Sequence, residues 1–243
     1  MSTPTLPPCR ADRDCARVPV RDAALVYLGA WFIGQTFATA VVVGSGHTAL
    51  DDAGPGWLFG VALAGWVPLL VALVLLGRRF GSGNLVRDYG LTFRPIDLLG
   101  VPAGVLTQVL LLRTLYWPLE KAWPGTFAKT RIEERARALS DHAHGAGLLL
   151  LILVVVVGAP LVEELVYRGL LQGAVTRRVR EWLGMVLVAA WFAVVHFQPV
   201  ETPGLFLVGL VLGGCALWTR RLGMGVVAHV AFNATGLVMV ALT

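Results

Sequence analysis

Long runs without a single Asp, Glu, Lys or Arg recur along this 243-residue chain, and they fix what it can fold into. They cover Ala23–Leu50, Ala53–Gly77, Leu98–Leu112, His142–Val162, Trp182–Val200, Thr202–Thr219 and Leu222–Thr243. A helix needs about 20 mainly apolar residues to cross the hydrocarbon core, where irregular backbone has no water to bond to. The chain is 56% hydrophobic and only 14% charged, whereas a soluble domain is about one quarter charged. These features predict an all-α, polytopic transmembrane helical bundle of about seven to eight helices. The Leu98–Trp117 and Trp182–Phe197 segments are the shortest or most interrupted of seven candidate spans. A re-entrant piece would make an eighth.

A net charge of +5 and a pI near 9.6 would suggest nucleic acid in a soluble protein. Here the arginines gather at helix ends, with no aromatic and basic face between them, so no nucleic-acid partner is expected and the charge sets topology. Arg10, Arg13, Arg17 and Arg21 precede the first run, and Arg78, Arg79, Arg87 and Arg94 follow the second. Arg177, Arg178 and Arg180 follow the fourth, and Arg220 and Arg221 the sixth. Reading these ends as cytoplasmic puts the N-terminus inside and the C-terminus outside. The connection Pro118–Gly147 runs against that order with Lys121, Lys129, Arg131, Arg135 and Arg137, balanced by Glu120, Glu133, Glu134 and Asp141. Cys9, Cys15 and Cys215 have neither metal-like nor disulfide spacing.

Residues 1–22 are rich in Pro, Arg and Asp without apolar periodicity, as in a disordered cytoplasmic tail. Residues 23–146 hold the first spans, a scaffold closed by an amphipathic stretch from Phe127 to Leu139 suited to the membrane interface. Pro95 is placed to open the third helix, and Pro118 and Pro124 to end it. Residues 147–243 carry every polar intramembrane group of interest.

An ionisable side chain near the bilayer centre costs about 2.5–3.5 kcal/mol even on lenient scales, so such groups imply pairing, a wet cavity, or both. Glu163, Glu164 and Arg168 fall in one run, His196 lies four residues after Phe192, and His229 four before Asn233. Glu164 and Arg168, four apart, share a helix face, while Glu163 points about 100° away. Glu164 is therefore expected in an ion pair, leaving Glu163 free to face a cavity as a general base. Pro160 removes a backbone N–H just upstream and can kink the helix there. Phe192 can fix the imidazole of His196 from the same face. Counting from the turn near Arg180, Glu163 and His196 lie at similar depth, roughly 22–26 Å along their helices and towards the outer end. The match of His229 to that depth is the weakest.

Glu163-Glu164-Leu-Val-Tyr-Arg168 resembles the EExxxR motif of the CAAX-protease and bacteriocin-processing (CPBP) family. Phe192-Ala-Val-Val-His196 resembles its FxxxH motif and His229-Val-Ala-Phe-Asn233 its HxxxN motif. Gly209, Gly213 and Thr219 match a further GxxxG element, with Leu205 where a Phe is expected and Phe206 beside it. The resemblance covers about residues 147–243 and implies an endopeptidase with its active site within the membrane of a multi-pass protein, the bacterial cytoplasmic membrane being the expected location. By that analogy Glu163 activates a water, His196 helps orient or deprotonate it, and His229 and Asn233 stabilise the oxyanion. Glu164, Arg168 and Phe192 support them. A metal-dependent version uses Glu163, His196 and His229 as ligands of a divalent ion such as Zn2+, with an open position for water. The expected partners are the lipid bilayer and a membrane-anchored peptide or protein substrate. The alternatives are a non-catalytic binding or immunity protein on the same fold, or a proton-coupled transporter. Against the transporter, no second inverted half is visible.

Overall fold

The computed structural model describes residues 16–44, 46, 55–128, 130–131, 137–138 and 143–242. Most of the expected tail and most of the Phe127–Leu139 amphipathic stretch lie outside the described residues. Among the described residues every regular element is helical. Among these residues six helices are long and apolar enough to cross a membrane, and this is an integral, multi-pass membrane protein.

Helices α1 (Val20–Gly44) and α2 (Pro55–Phe80) form an antiparallel pair, and the short α3 (Leu85–Tyr89) follows. Asn84 caps α3 by accepting from the Arg87 N–H at 3.1 Å, and Gly90 ends it at φ 72°, a left-handed position that costs glycine little. The third span, α4, runs from Pro95 to Ala122, longer than its charge-free run. It begins as a 3₁₀ turn and contains a π-helical segment at Thr107–Leu111. Pro118 was expected to end this helix and instead lies inside it. Its lost N–H falls in the final turns, where the helix is close to its end. A short turn, α5 (Pro124–Phe127), follows.

Helix α6 (Ala146–Val175) is the hub, touching α1, α2 and each of the three helices that follow it. The fifth expected crossing, α7 (Glu181–Val194), is shorter than a full span. It pairs with α8 (Thr202–Thr219), and α9 (Gly223–Ala241) closes the bundle against α8 and α4. Small residues permit the closest approaches. A Cβ built on Gly104 of α4 would stand 2.1 Å from the carbonyl oxygen of Ala228 in α9, and one on Gly100 would stand 2.6 Å from that of Met224. Gly209 meets the backbone of Ala189 in the same manner, joining α8 to α7.

One end of the bundle is laced by polar contacts. Arg221 grips Asp97 through two nitrogens at 2.7 and 3.2 Å, Arg220 pairs with Glu181, and the Leu222 N–H donates to the Gly90 carbonyl at 2.9 Å. The segment before α1 is held here as well. Ala16 and Val18 are buried, the Ala16 and Arg17 N–H groups donate to Asp88 and Phe80 carbonyls, and Arg177 donates to the Ala16 carbonyl at 2.7 Å. The tail expected over residues 1–22 thus gives way to fixed backbone by Ala16, with helix from Val20. Outward faces carry apolar side chains such as Phe32, Phe37, Val67 and Leu75, which suit lipid contact.

Candidate active site

The site begins with a change of helical register in α6. Residues Ile152–Gly158 and Glu164–Gln172 are π-helical, with a short α stretch, Ala159–Glu163, between them. The Ala159 N–H bonds the Val154 carbonyl, so the next carbonyl in that register, Val155, would pair with residue 160. Residue 160 is proline and has no N–H. The vacancy is filled from another helix: the side-chain amide of Asn233 in α9 donates to the Val155 oxygen at 2.7 Å. One amide hydrogen of Asn233 is thereby committed and the second stays available.

Past Pro160 the adjacent glutamates enter different surroundings. Glu164 is completely buried, and its Oε1 lies 3.0 Å from Arg168 Nη1 and 3.2 Å from His229 Nδ1. Glu163 keeps 23% of its side-chain surface accessible, and its Oε2 is 3.7 Å from His229 Nε2. At that distance the two atoms make no direct hydrogen bond, and both stay open to a water bound beside them. Since Nδ1 is occupied by Glu164, Nε2 is the nitrogen His229 presents to Glu163. The sequence placed Glu164 in an ion pair with Arg168; the structure adds His229 to the same carboxylate.

Arg168 is buried with it. Its Nη2 donates to the Gly209 carbonyl at 3.4 Å, and its guanidinium lies 4.6 Å from the Phe192 ring centre. One turn on, Gln172 donates to the Gly213 carbonyl at 3.1 Å. Glycine at 213 leaves room for Gln172, whose Oε1 would stand 2.9 Å from a Cβ there, while glycine at 209 makes room for Ala189 of α7. The small residues therefore serve packing and the polar ladder together, and Gln172 is a site-supporting residue that motif spacing did not single out. The Nη1–Glu164 contact is an ion pair by distance but lacks hydrogen-bond alignment, and Glu164 Oε2 has no hydrogen-bond partner among the described residues.

Phe192 joins the histidines. Its ring stands edge-on to His196 at 4.6 Å and to His229 at 6.2 Å. His196 was expected within the fifth helix; it lies in the turn just beyond Val194, with Nδ1 2.5 Å from the Phe192 carbonyl. Phe197 takes the left-handed conformation, φ 52°, that closes this turn. The brevity of α7 explains the depth match. Counting from Glu181, His196 is roughly 22 Å along, and Glu163 is roughly 18 Å from the Val175 end of α6 at about 1.5 Å per residue. Glu163 therefore stands nearer the arginine-bearing end than the outer one, and His229, only six residues into α9, still reaches both glutamates.

Among the described residues no three His, Cys, Asp or Glu side chains stand grouped as they would around a metal ion. Glu163 and His229 are neighbours, whereas His196 connects to them through the Phe192 ring. The arrangement suits a carboxylate acting on water beside oriented imidazoles.

Residues 145–235 match the family model described as type II CAAX prenyl endopeptidase, Rce1-like. No curated protein and no solved structure matches the chain. The matched segment holds all the paired groups described above from α6 to α9.

Proposed function

We propose, from the match of residues 145–235 to the family model of Rce1-like type II CAAX prenyl endopeptidases, that this protein hydrolyses a peptide bond of a membrane-associated substrate with a water activated by Glu163. The contrast between the adjacent carboxylates carries this reading. Glu164 is fully buried and held by Arg168 and His229, while Glu163 is partly accessible and its Oε2 stands 3.7 Å from an imidazole nitrogen. In the reaction Glu163 takes the proton of the attacking water as oxygen adds to the scissile carbonyl, then returns it to the leaving nitrogen. His196, fixed by Phe192, orients the water. The second amide hydrogen of Asn233 serves the oxyanion, joined by His229 Nε2 when that ring carries a proton on both nitrogens, a contribution of about 2.7–4 kcal/mol per donor in such sites. Arg168 and Glu164 hold His229 in register.

The arginine-bearing end is assigned to the cytoplasm by the positive-inside rule, with the N-terminus on that side. The test is purified protein in liposomes, challenged with membrane-anchored peptides bearing prenylated, leader-type or sorting-signal ends. Wild type is expected to cleave at least one class, and Glu163→Ala to lose about 100-fold or more of the rate while staying folded. Undiminished cleavage by Glu163→Ala ends the proposal. A parallel arm with a chelator leaves the rate unchanged if carboxylate and water suffice.

A further inference from the structure

The turn that carries His196 is fastened from a helix outside the matched segment. Helix α8 begins at Thr202, so Gly204 lies in its first turn, and an ordinary α-helix would bond the Gly204 N–H to the Val200 carbonyl four residues back. No direct bond joins them, whereas the next pair in that register, Leu205 to Glu201, closes at 2.8 Å. The Tyr116 hydroxyl of α4 stands between Gly204 and Val200 instead. It accepts from the Gly204 N–H at 3.1 Å and donates to the Val200 oxygen at 3.0 Å, so one hydroxyl satisfies both groups across a parted helical turn. Tyr116 is buried, and a Cβ on Gly204 would stand 2.8 Å from its oxygen, so a larger residue there would push the hydroxyl away. Val200 is four residues from His196, with Pro199 stiffening the link. The imidazole is tethered to the Phe192 carbonyl, but the backbone beneath it is loosely held: the His196 N–H reaches the Ala193 carbonyl at 3.4 Å, and Phe197 sits at φ 52°, an unfavourable position for a residue with a side chain. Trp31 of α1 stacks on the Phe197 ring at 5.9 Å and 29°, and Tyr116 secures the other end of the turn.

We propose that Tyr116 is a positioning residue for the reaction: its hydroxyl, set into the first turn of α8, holds Val200 back from that helix and so fixes where the turn presents His196. This rests on the protease reading above and extends the site to α4. Tyr116→Phe keeps the ring and frees the Gly204 N–H to close directly on Val200, drawing the turn towards α8. Gly204→Ala reaches the same state from the other side by displacing the hydroxyl. Each variant is expected to lower kcat about tenfold, the scale of one hydrogen bond, with KM within about twofold of wild type. A second readout needs no turnover. With 15N-labelled histidine, the ring signals of His196 and His229 are assigned through His196→Gln and His229→Gln. Both variants are expected to move the His196 signal and to leave that of His229 in place. A His196 signal unmoved in Tyr116→Phe overturns the proposal, and so does displacement or loss of both signals together, which makes the hydroxyl a prop of the whole bundle. A shifted His196 signal with unchanged kcat overturns the positioning role. If wild type cleaves no substrate, the protease reading fails and the His196 signal alone decides whether Tyr116 sets the turn.

Discussion

At the residue scale the decisive fact is that two identical neighbours are made unequal by burial. Glu164 has a buried arginine and an imidazole on one oxygen, and Glu163 has an accessible face. Removing one partner of a buried ion pair leaves the other charge without compensation, at about 3–5 kcal/mol. Arg168→Ala is therefore expected to lower the melting temperature in detergent sharply. Arg168→Lys should recover only part of the loss, because a lysine cannot both serve Glu164 and reach the Gly209 carbonyl in a planar fork across Phe192. The spacing of Glu164 and Arg168 made their pairing legible in the sequence. The attachment of His229 to that carboxylate was not, since 65 residues separate them and only the packing of α9 on α6 joins them.

At the scale of the element, α6 works because its irregularities are compensated from outside. Pro160 leaves the Val155 carbonyl without a backbone donor, and Asn233 supplies one. Asn233→Ala should cost about 1–3 kcal/mol as a part-buried acceptor on a membrane-spanning helix loses its partner. Combined with Pro160→Ala, which restores an N–H at that position, the cost should shrink, and a double-mutant cycle of thermal stabilities measures the coupling. Equal costs on both backgrounds would refute the link. The sequence indicated a kink at Pro160, but the register shift needs backbone coordinates to be seen. Helix contacts give a simpler expectation. Gly104→Leu drives a side chain into the α9 backbone and should either abolish the folded band in size-exclusion chromatography or cut thermal stability far more than Gly125→Leu, where nothing lies within 4 Å.

Across the whole molecule, arginines from separate helix ends come together at one end of the bundle. Arg177, Arg220 and Arg221 meet Ala16, Glu181 and Asp97 there, so the positive-inside signal and the polar lacing coincide. A cysteine-free background with Arg178→Cys should react with an impermeant maleimide only from the cytoplasmic side, and Gly125→Cys only from the other. The reverse pattern would invert the orientation. The first helices, read from the sequence as scaffold, also bring Tyr27 of α1 against Tyr167 of α6.

What the sequence determined alone was the class of fold and the groups that need an explanation. Apolar length and the absence of charge are local properties, as is a spacing of four on a helix. Only the tertiary structure decided how those groups meet: a short α7 that ends at the depth of Glu163, an α9 whose histidine reaches both glutamates, and a hydroxyl delivered by α4. Each of these depends on how far and at what distance one helix passes another. That distance is set by small residues and register shifts acting together, so no single stretch of the chain contains it.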